Sequence, residues 1–241
     1  MKTAIPVTLM RRTPLHDWHA HRGARFAHSD DWQIPTRYRD GESELTAVRT
    51  TVAIGDVSAF PKIGLLGRGI DNLSRALLGG NPATRPLGLA TLGDSGPVLV
   101  CRLTEGHLLL LACTTNAAVL SARLARLTDT AMTQADVTSA YAAFVVVGPN
   151  ADKLLQRLTL LDVSLSGLPV ASCAETSLAG VHAVVARPET DSISWLLVLV
   201  SWDLGEYVWE ELFRAGKELQ ISPLGWDALR RLRLVTLEVL E

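Results

Sequence analysis

The sequence predicts an α+β fold with mainly antiparallel sheets. Apolar runs with the length of strands alternate with helix-like segments along the 241 residues. Residues 98–103 and 107–112 have the pattern of two strands joined by the short turn Thr104-Glu105-Gly106. Because parallel strands need a long crossover between them, this hairpin favours antiparallel pairing over a doubly wound parallel sheet.

Composition limits the class of protein. Hydrophobic residues make up 48% of the chain, which is enough to bury a substantial core. The formal net charge is -2, and the charges are scattered rather than gathered in a basic stripe. This distribution argues against nucleic acid as a partner.

Cysteines and apolar windows indicate a cytoplasmic protein. Cys101, Cys113 and Cys173 lie far apart in apolar stretches, which favours buried, reduced thiols over disulfides. The apolar stretch at the N-terminus is shorter than a secretory signal core and is followed by arginines. The most apolar windows, 98–113 and 194–202, are interrupted by charges or too short to cross a bilayer, so we expect no membrane partner.

The first predicted helix has Thr13 as N-cap and Pro14 as its first helical residue, and it ends at Gly23. Leu15, Trp18 and His19 share one face of this helix at three- and four-residue spacing.

Histidines crowd this region and raise the question of a metal site. Two of them can meet on one helical face, but the third points elsewhere, and no cysteine or carboxylate completes a tetrahedral set at the usual spacing. We therefore expect surface or capping histidines and no metal. The residues are His16, His19, His21 and His28.

Residues 29–44 are predicted to form a polar, turn-rich loop. Its aromatic residues, Trp32 and Tyr38, are either packing anchors on the surface or the wall of a ligand pocket, since flat side chains can stack on a flat ligand. A helix over residues 42–50 and one strand over residues 52–63 follow.

The rest of the chain continues as alternating helices and strands. One helix, over residues 116–127, has an apolar face made of Val119, Leu120, Leu124 and Leu127. Gly148-Pro149 begins another helix, which buries leucines at helical spacing. The further elements are a helix over 70–78 closed by Gly79-Gly80, strands over 136–147, 180–187 and 195–200, a helix over 204–215, and a final helix or strand after Pro223.

Five short motifs between residues 13 and 58 stand in a characteristic order. They are Thr13-Pro14-Leu15, Gly23-Ala24-Arg25, Trp32 to Pro35 to Tyr38, Ala47-Val48-Arg49 and Asp56-Val57-Ser58. This run resembles the N-terminal region of the glycine-cleavage T-protein (aminomethyltransferase) family nearly position by position. The resemblance extends, less specifically, to about residue 235.

The resemblance implies a fold and a ligand. The fold is one unit of two interleaved α+β subdomains, one over about 53–135 and the other over 1–52 and 136–241, without the family's C-terminal β domain. The activity implied is transfer of a one-carbon unit to tetrahydrofolate, and the loop around Trp32 would line the folate cavity. The implied folate-binding residues are Trp32, Pro35, Tyr38, Asp56, Ser58, Cys113 and Arg187.

Several departures from the family pattern predict a degenerate site. The family has paired aspartates before the first strand of the hairpin, and here only Asp94 is left as a candidate catalytic acid. Cys113 stands where the family has an asparagine, and the glutamate that contacts the pterin is not in register after Arg187. Glu189 or Asp191 could replace that glutamate after a loop shift, but a solvated turn is the simpler interpretation. Loss of an acid or base costs a factor of about a hundred to ten thousand in rate.

Three functions therefore remain open. The first is a folate-dependent aminomethyltransferase with a rearranged site. The second is a non-catalytic folate-binding or regulatory module. The third is a structural subunit of a multi-component amine oxidase or demethylase, in which a protein partner or a second copy covers the face that the absent C-terminal domain would leave. Titration with a folate separates the first two functions from the third.

Overall fold

The computed structural model describes residues 10–29, 31–78, 86–91, 97–112, 117–127, 131–190 and 193–234. The helices are α1 (His16–His21), α2 (Gly41–Thr50), α3 (Ile70–Leu78), α4 (Ala117–Leu124), α5 (Ala151–Gln156), α6 (Gly205–Ala215) and α7 (Trp226–Arg231). The strands are β1 (Arg11–Arg12), β2 (Arg25–Ser29), β3 (Trp32–Arg37), β4 (Ala53–Asp56), β5 (Lys62–Gly67), β6 (Leu87–Thr91), β7 (Pro97–Thr104), β8 (His107–Ala112), β9 (Met132–Asp136), β10 (Tyr141–Val147), β11 (Ser172–Leu178), β12 (Val181–Arg187), β13 (Trp195–Ser201) and β14 (Ser222–Leu224).

The described strands form three sheets, which confirms the predicted α+β class. Their orders are β1-β3-β2, β11-β12-β13-β10-β4-β14 and β6-β7-β8-β5-β9. The predicted hairpin is present as β7 and β8, which pair antiparallel. Pairing is antiparallel elsewhere in the described sheets, except between β1 and β3 and between β14 and β4.

The two larger sheets share a hydrophobic core. One buried cluster contains Val145 and Leu197 of the six-stranded sheet together with Leu99 and Leu111 of the five-stranded sheet. Because this cluster excludes water from both sheets at once, burial of apolar area holds the two sheets together.

Two segments that were each predicted to form one strand contain parts of two strands, so both predictions are wrong. Residues 52–63 form β4 and β5, and residues 136–147 contain the end of β9 and all of β10. In both places the chain leaves one large sheet and enters the other. A continuous apolar pattern does not show this change of sheet, because both halves are buried. The subdomain division at 53–135 stays a prediction.

The predicted loop over residues 29–44 contains a strand, β3, which is a second correction. Proline usually interrupts a strand, but here Pro35 lies opposite Phe26, beyond the two residues of β3 that pair with β1. Thr36 forms a bulge next to it, and its hydroxyl donates to the carbonyl of Arg25 at 3.1 Å.

Helix predictions are confirmed for α3, whose bounds match, and corrected for α1 and α4. Helix α1 begins at His16, after Leu15 as N-cap, rather than at Pro14. In α4, Leu120 and Leu124 are buried, whereas Val119 is 39% exposed and Leu127 is 49% exposed. A helix of two turns therefore buries one row of leucines and not the wider face that was predicted. Gly79-Gly80 lie outside the described residues.

Gly148 shows why its motif needs glycine. Its φ is +118°, and a Cβ atom there would lie 2.8 Å from the carbonyl oxygen of Thr51 and 3.0 Å from that of Val48. Glycine thus allows the turn before α5 to pass directly beneath the end of α2.

Candidate functional site

A buried network joins the first helix to the end of β4. His19 is fully buried, its Nε2 lies 3.0 Å from Oδ2 of Asp56, and its Nδ1 lies 2.6 Å from the hydroxyl oxygen of Tyr38. The expectation that the histidines lie on the surface or cap the helix is therefore wrong for His19. The face that it shares with Leu15 and Trp18 was the signal in the sequence that it would be buried.

The electrostatics of this network assign the direction of its hydrogen bonds. Burial opposes ionisation of Asp56, but hydrogen bonds from His19 and Ser58 outweigh burial and hold the pKa of Asp56 below its ordinary value. Burial, together with the charges of Asp56 and Glu44, raises the pKa of Tyr38 well above its ordinary value. Tyr38 therefore keeps its proton and donates to Nδ1, and we assign the proton of His19 to Nε2, which donates to Asp56.

Asp56 and Ser58 also anchor the turn after β4. The amide of Ser58 donates to Oδ1 of Asp56 at 2.9 Å, and the Ser58 hydroxyl accepts from the amide of Ala143 at 3.0 Å. The indole nitrogen of Trp226 donates to the Asp56 carbonyl at 2.7 Å. These bonds satisfy polar groups inside the core, so Asp56 and Ser58 hold the architecture together from positions closed to solvent.

A cleft lies beside Trp32, between the three-stranded sheet, α4 and the turns that connect the two larger sheets. Its volume is about 470 Å³, within the range typical of small-molecule sites. We call it the Trp32 cleft. Its apolar wall is made of Ala59, Pro61, Ala117 and Ala118. Its polar lining is made of Arg11, Asp31, Ser121, Asp136 and Thr138.

Trp32 itself is 3% exposed and is held between two neighbours. The guanidinium carbon of Arg11 lies 4.1 Å from the ring centroid, and the ring of Trp202 lies 6.0 Å away. Arg11 is fixed in turn by a hydrogen bond of 2.7 Å to the hydroxyl of Ser139 and by an ion pair of 3.7 Å with Asp31. A flat ligand in the cleft would therefore meet a guanidinium plane backed by an indole.

Tyr38 lines a different cleft, of about 540 Å³, with Arg22, Arg39, Thr46 and Phe213. Trp32 and Tyr38, which were predicted to belong to one aromatic loop, thus line two separate clefts. Pro35 is buried in β3 and lines neither of these clefts.

Arg187 is enclosed by partners of its own and is 2% exposed. Its Nη2 lies 2.7 Å from Oδ1 of Asp152, its Nε donates to the carbonyl of Leu168 at 2.9 Å, and its Nη1 donates to the hydroxyl of Ser194 at 3.0 Å. These bonds tie Arg187 to the first turn of α5, and Arg187 does not line the Trp32 cleft.

The other predicted site residues, Asp94 and Cys113, lie outside the described residues, as does Asp191. Within the described part of the chain, no group of three histidine, cysteine or acidic side chains is placed to hold a metal. No helix in that part is both long and apolar enough for a membrane crossing.

Sequence reasoning missed Arg11, Asp136 and Thr138 as cleft residues. In the sequence, Arg11 marks only the end of an apolar stretch, and Asp136 only the start of a predicted strand. Asp136 and Thr138 come to the cleft where the chain passes from β9 to β10, and Arg11 comes to it on β1, which pairs with β3. The local pattern reveals neither of these tertiary connections.

Comparison with known proteins supports the architecture. Residues 15–236 match the family model described as the GCVT N-terminal domain. The solved aminomethyltransferase T of the glycine cleavage system from Bartonella henselae has a TM-score of 0.76 at 18% identity, with 93% of this chain and 62% of that chain covered. A chain of heterotetrameric sarcosine oxidase from Corynebacterium sp. U-96 has a TM-score of 0.60 at 20% identity, with 88% of this chain and 97% of that chain covered.

Curated relatives are of the same two kinds. An aminomethyltransferase from Saccharopolyspora erythraea is 30% identical over an alignment of 233 positions, which covers 93% of this chain and 63% of the relative. The sarcosine oxidase subunit alpha of Corynebacterium sp. strain U-96 is 28% identical over an alignment of 249 positions, which covers 92% of this chain and 26% of the relative. The chain thus spans under two thirds of the length of these relatives, yet the match runs through nearly all of its own residues. The chain belongs to the glycine-cleavage T-protein (aminomethyltransferase) family.

Proposed function

We propose that this chain binds tetrahydrofolate or a folate derivative in the Trp32 cleft and supports folate-dependent transfer of a one-carbon unit. The observation that carries the proposal is the cleft itself, which combines ligand-sized volume, an aromatic and cationic surface and two carboxylates. Membership of the aminomethyltransferase family and the relatives named above support the ligand class. We place this activity in the cytoplasm, where free Cys101 and Cys173 stay reduced.

The residues of the cleft suit a folate. The Arg11 guanidinium over Trp32 offers a flat, polarisable surface on which a pterin ring can stack. The carboxylates of Asp31 and Asp136 and the hydroxyls of Ser121 and Thr138 can accept from or donate to the ring edge. The apolar wall of alanines and Pro61 excludes water from the ring faces.

Asp136 is the residue that we propose to manage protons. When bound, a reduced folate offers ring nitrogens that accept a one-carbon unit. Oδ1 of Asp136 accepts from the amide of Thr138 at 2.9 Å and also from the Thr138 hydroxyl, which fixes the carboxylate at the cleft wall. A carboxylate held there can take a proton from an attacking nitrogen and return it to a departing amine. Asp94, the candidate acid from the sequence, lies outside the described residues and stays a second candidate.

Titration with 5-formyltetrahydrofolate, read by tryptophan fluorescence and by calorimetry, tests the site. Ala118→Phe places a ring in the Trp32 cleft and is expected to weaken binding by at least about tenfold, which is about 1.4 kcal/mol. Ala122→Phe, on an exposed position of the same helix outside the cleft lining, is the matched control and should bind as the parent protein does. Equal affinities of Ala118→Phe and Ala122→Phe would contradict binding in the Trp32 cleft. If only Thr46→Phe weakened binding, the ligand would lie in the Tyr38 cleft, which Thr46 lines.

Asp136→Asn tests the chemistry separately from binding. We expect folate affinity to be largely kept and the single-turnover rate of one-carbon transfer from an aminomethyl donor to fall by about a hundred- to ten-thousand-fold. An unchanged rate would remove Asp136 from the reaction, and binding without any turnover in the parent protein would favour a folate-binding module.

A second candidate function is that of a subunit in a multi-component enzyme. The observation in its favour is that the match to the heterotetrameric sarcosine oxidase chain covers 97% of that chain. Exposed apolar side chains between α5 and β11 provide surface for such a partner: Leu160, Leu165 and Val170. A purified chain that sediments as a monomer and transfers one-carbon units unaided would contradict this candidate.

A further inference from the structure

Lys62 is a fully buried lysine at the point where the chain enters the five-stranded sheet. Its Nζ donates to the carbonyl of Ser58 at 2.9 Å, to that of Phe60 at 3.0 Å and to that of Thr138 at 3.3 Å. An ammonium group has three N–H donors, so these carbonyls match it one for one.

The three carbonyls come from two different turns. Ser58 and Phe60 belong to the turn between β4 and β5, and Thr138 belongs to the turn between β9 and β10. The backbone of Lys62 joins the same turns: its amide donates to the Thr138 hydroxyl at 3.0 Å, and its carbonyl accepts from the amide of Val137 at 2.8 Å. Lys62 therefore links the two turns through both its side chain and its backbone.

These turns supply the floor of the Trp32 cleft. Ala59 and Pro61 line the cleft from the first turn, and Asp136 and Thr138 line it from the second, whereas Lys62 lies behind them and does not line it. Thr138 in turn holds the carboxylate of Asp136.

We propose that Lys62 is a positioning residue for the Trp32 cleft, and that its ammonium form clamps the two turns in the shape that accepts a ligand. This inference rests on the proposed function. A neutral amine has two N–H donors and a lone pair, so loss of the proton would point that lone pair at a carbonyl oxygen and loosen one contact of the clamp.

The clamp titrates near neutral pH. Burial lowers the pKa of Lys62 from its ordinary value of 10.5 to about 7, against the opposing influence of Asp56 and Asp136. The charged groups that face it are Asp56 on β4, Asp136 on β9 and Arg11 on β1. Because the competent form is the protonated one, affinity for the ligand should fall as pH rises through this value.

The experiment measures the Kd of 5-formyltetrahydrofolate between pH 6 and pH 9 for the full chain, for Lys62→Met and for the control Lys153→Met. Lys153 is an exposed lysine on α5, so its substitution makes the same chemical change away from the cleft. For the parent and the control we expect binding about tenfold weaker at pH 8 than at pH 6, the fraction of ammonium form being the competent fraction. Lys62→Met should bind at least about tenfold more weakly at pH 6 and show a flat profile over the same range.

A general structural weakness would lower the affinity of Lys62→Met but would leave its pH profile parallel to that of the parent, and that result would overturn the proposal. Equal affinity of Lys62→Met and the parent at pH 6 would also overturn it.

If the parent chain binds no folate at any pH, the proposed function fails. Amide hydrogen exchange then tests, without a ligand, whether Lys62 holds the two turns together. Faster exchange at Val137 and Thr138 in Lys62→Met, with the remaining core protected, would sustain the clamp, and unchanged exchange there would refute it.

Discussion

Asp56→Ala is expected to lower the free energy of unfolding by about 2–6 kcal/mol, because two buried donors lose their acceptor. The substitution leaves Nε2–H of His19 and the amide of Ser58 without their acceptor in a site closed to water. Each unpaired buried donor costs about 1–3 kcal/mol. Urea denaturation, with the midpoint and slope both fitted, measures the change.

Asp17→Ala is the control for this prediction. Asp17 is exposed in the first turn of α1, where its interaction with the helix dipole is worth about 0.3–1 kcal/mol. A loss for Asp56→Ala no larger than that for Asp17→Ala would mean that the network does not hold α1 to β4.

Stability should rise with pH above neutrality because of Lys62. Its pKa is about 7 in the folded chain and near 10.5 when exposed, so between these values the unfolded chain binds more protons than the folded chain. Alkaline pH therefore favours folding, with a slope that approaches about 1.4 kcal/mol per pH unit within this window. Below about pH 7 the contribution of Lys62 is constant.

The comparison with Lys62→Met isolates this contribution. From pH 7 to pH 10 the unfolding free energy of the parent should rise relative to that of Lys62→Met. The difference between the parent and Lys153→Met should stay constant over the same range. Parallel curves for the parent and Lys62→Met would mean that Lys62 keeps an ordinary pKa in the fold. Lys62 would then contribute nothing to the pH dependence of folate affinity near neutral pH.

The sequence predicted the elements better than their connections. Helix α3 and the hairpin of β7 and β8 carry strong local signals, in the first case a periodic apolar row and in the second a short turn between two apolar runs. The turns between β4 and β5 and between β9 and β10 carry none, since the chain stays apolar on both sides as it changes sheets. Antiparallel partners such as Ile63 and Asp136 are fixed by tertiary pairing alone.

The site was predictable only in part for the same reason. The motifs around Trp32 and Asp56 identify the family, but they do not show that Trp32 faces a cleft while Asp56 is closed off in the core. His19 shows the limit most clearly, because a polar residue on an apolar helix face becomes buried only if partners such as Tyr38 and Asp56 reach it. Those partners are 19 and 37 residues away in sequence.

The most direct test of folate binding in the Trp32 cleft is fluorine NMR of the chain labelled with 5-fluorotryptophan. The chain has six tryptophans, and Trp32→Phe assigns the resonance of Trp32. Of two tryptophans that line separate cavities, Trp32 lies in the proposed site and Trp18 lies in a cavity beside α6. On addition of 5-formyltetrahydrofolate we predict that the Trp32 resonance shifts and that of Trp18 does not; a shift of Trp18 alone, or no shift at saturating ligand, would contradict the account.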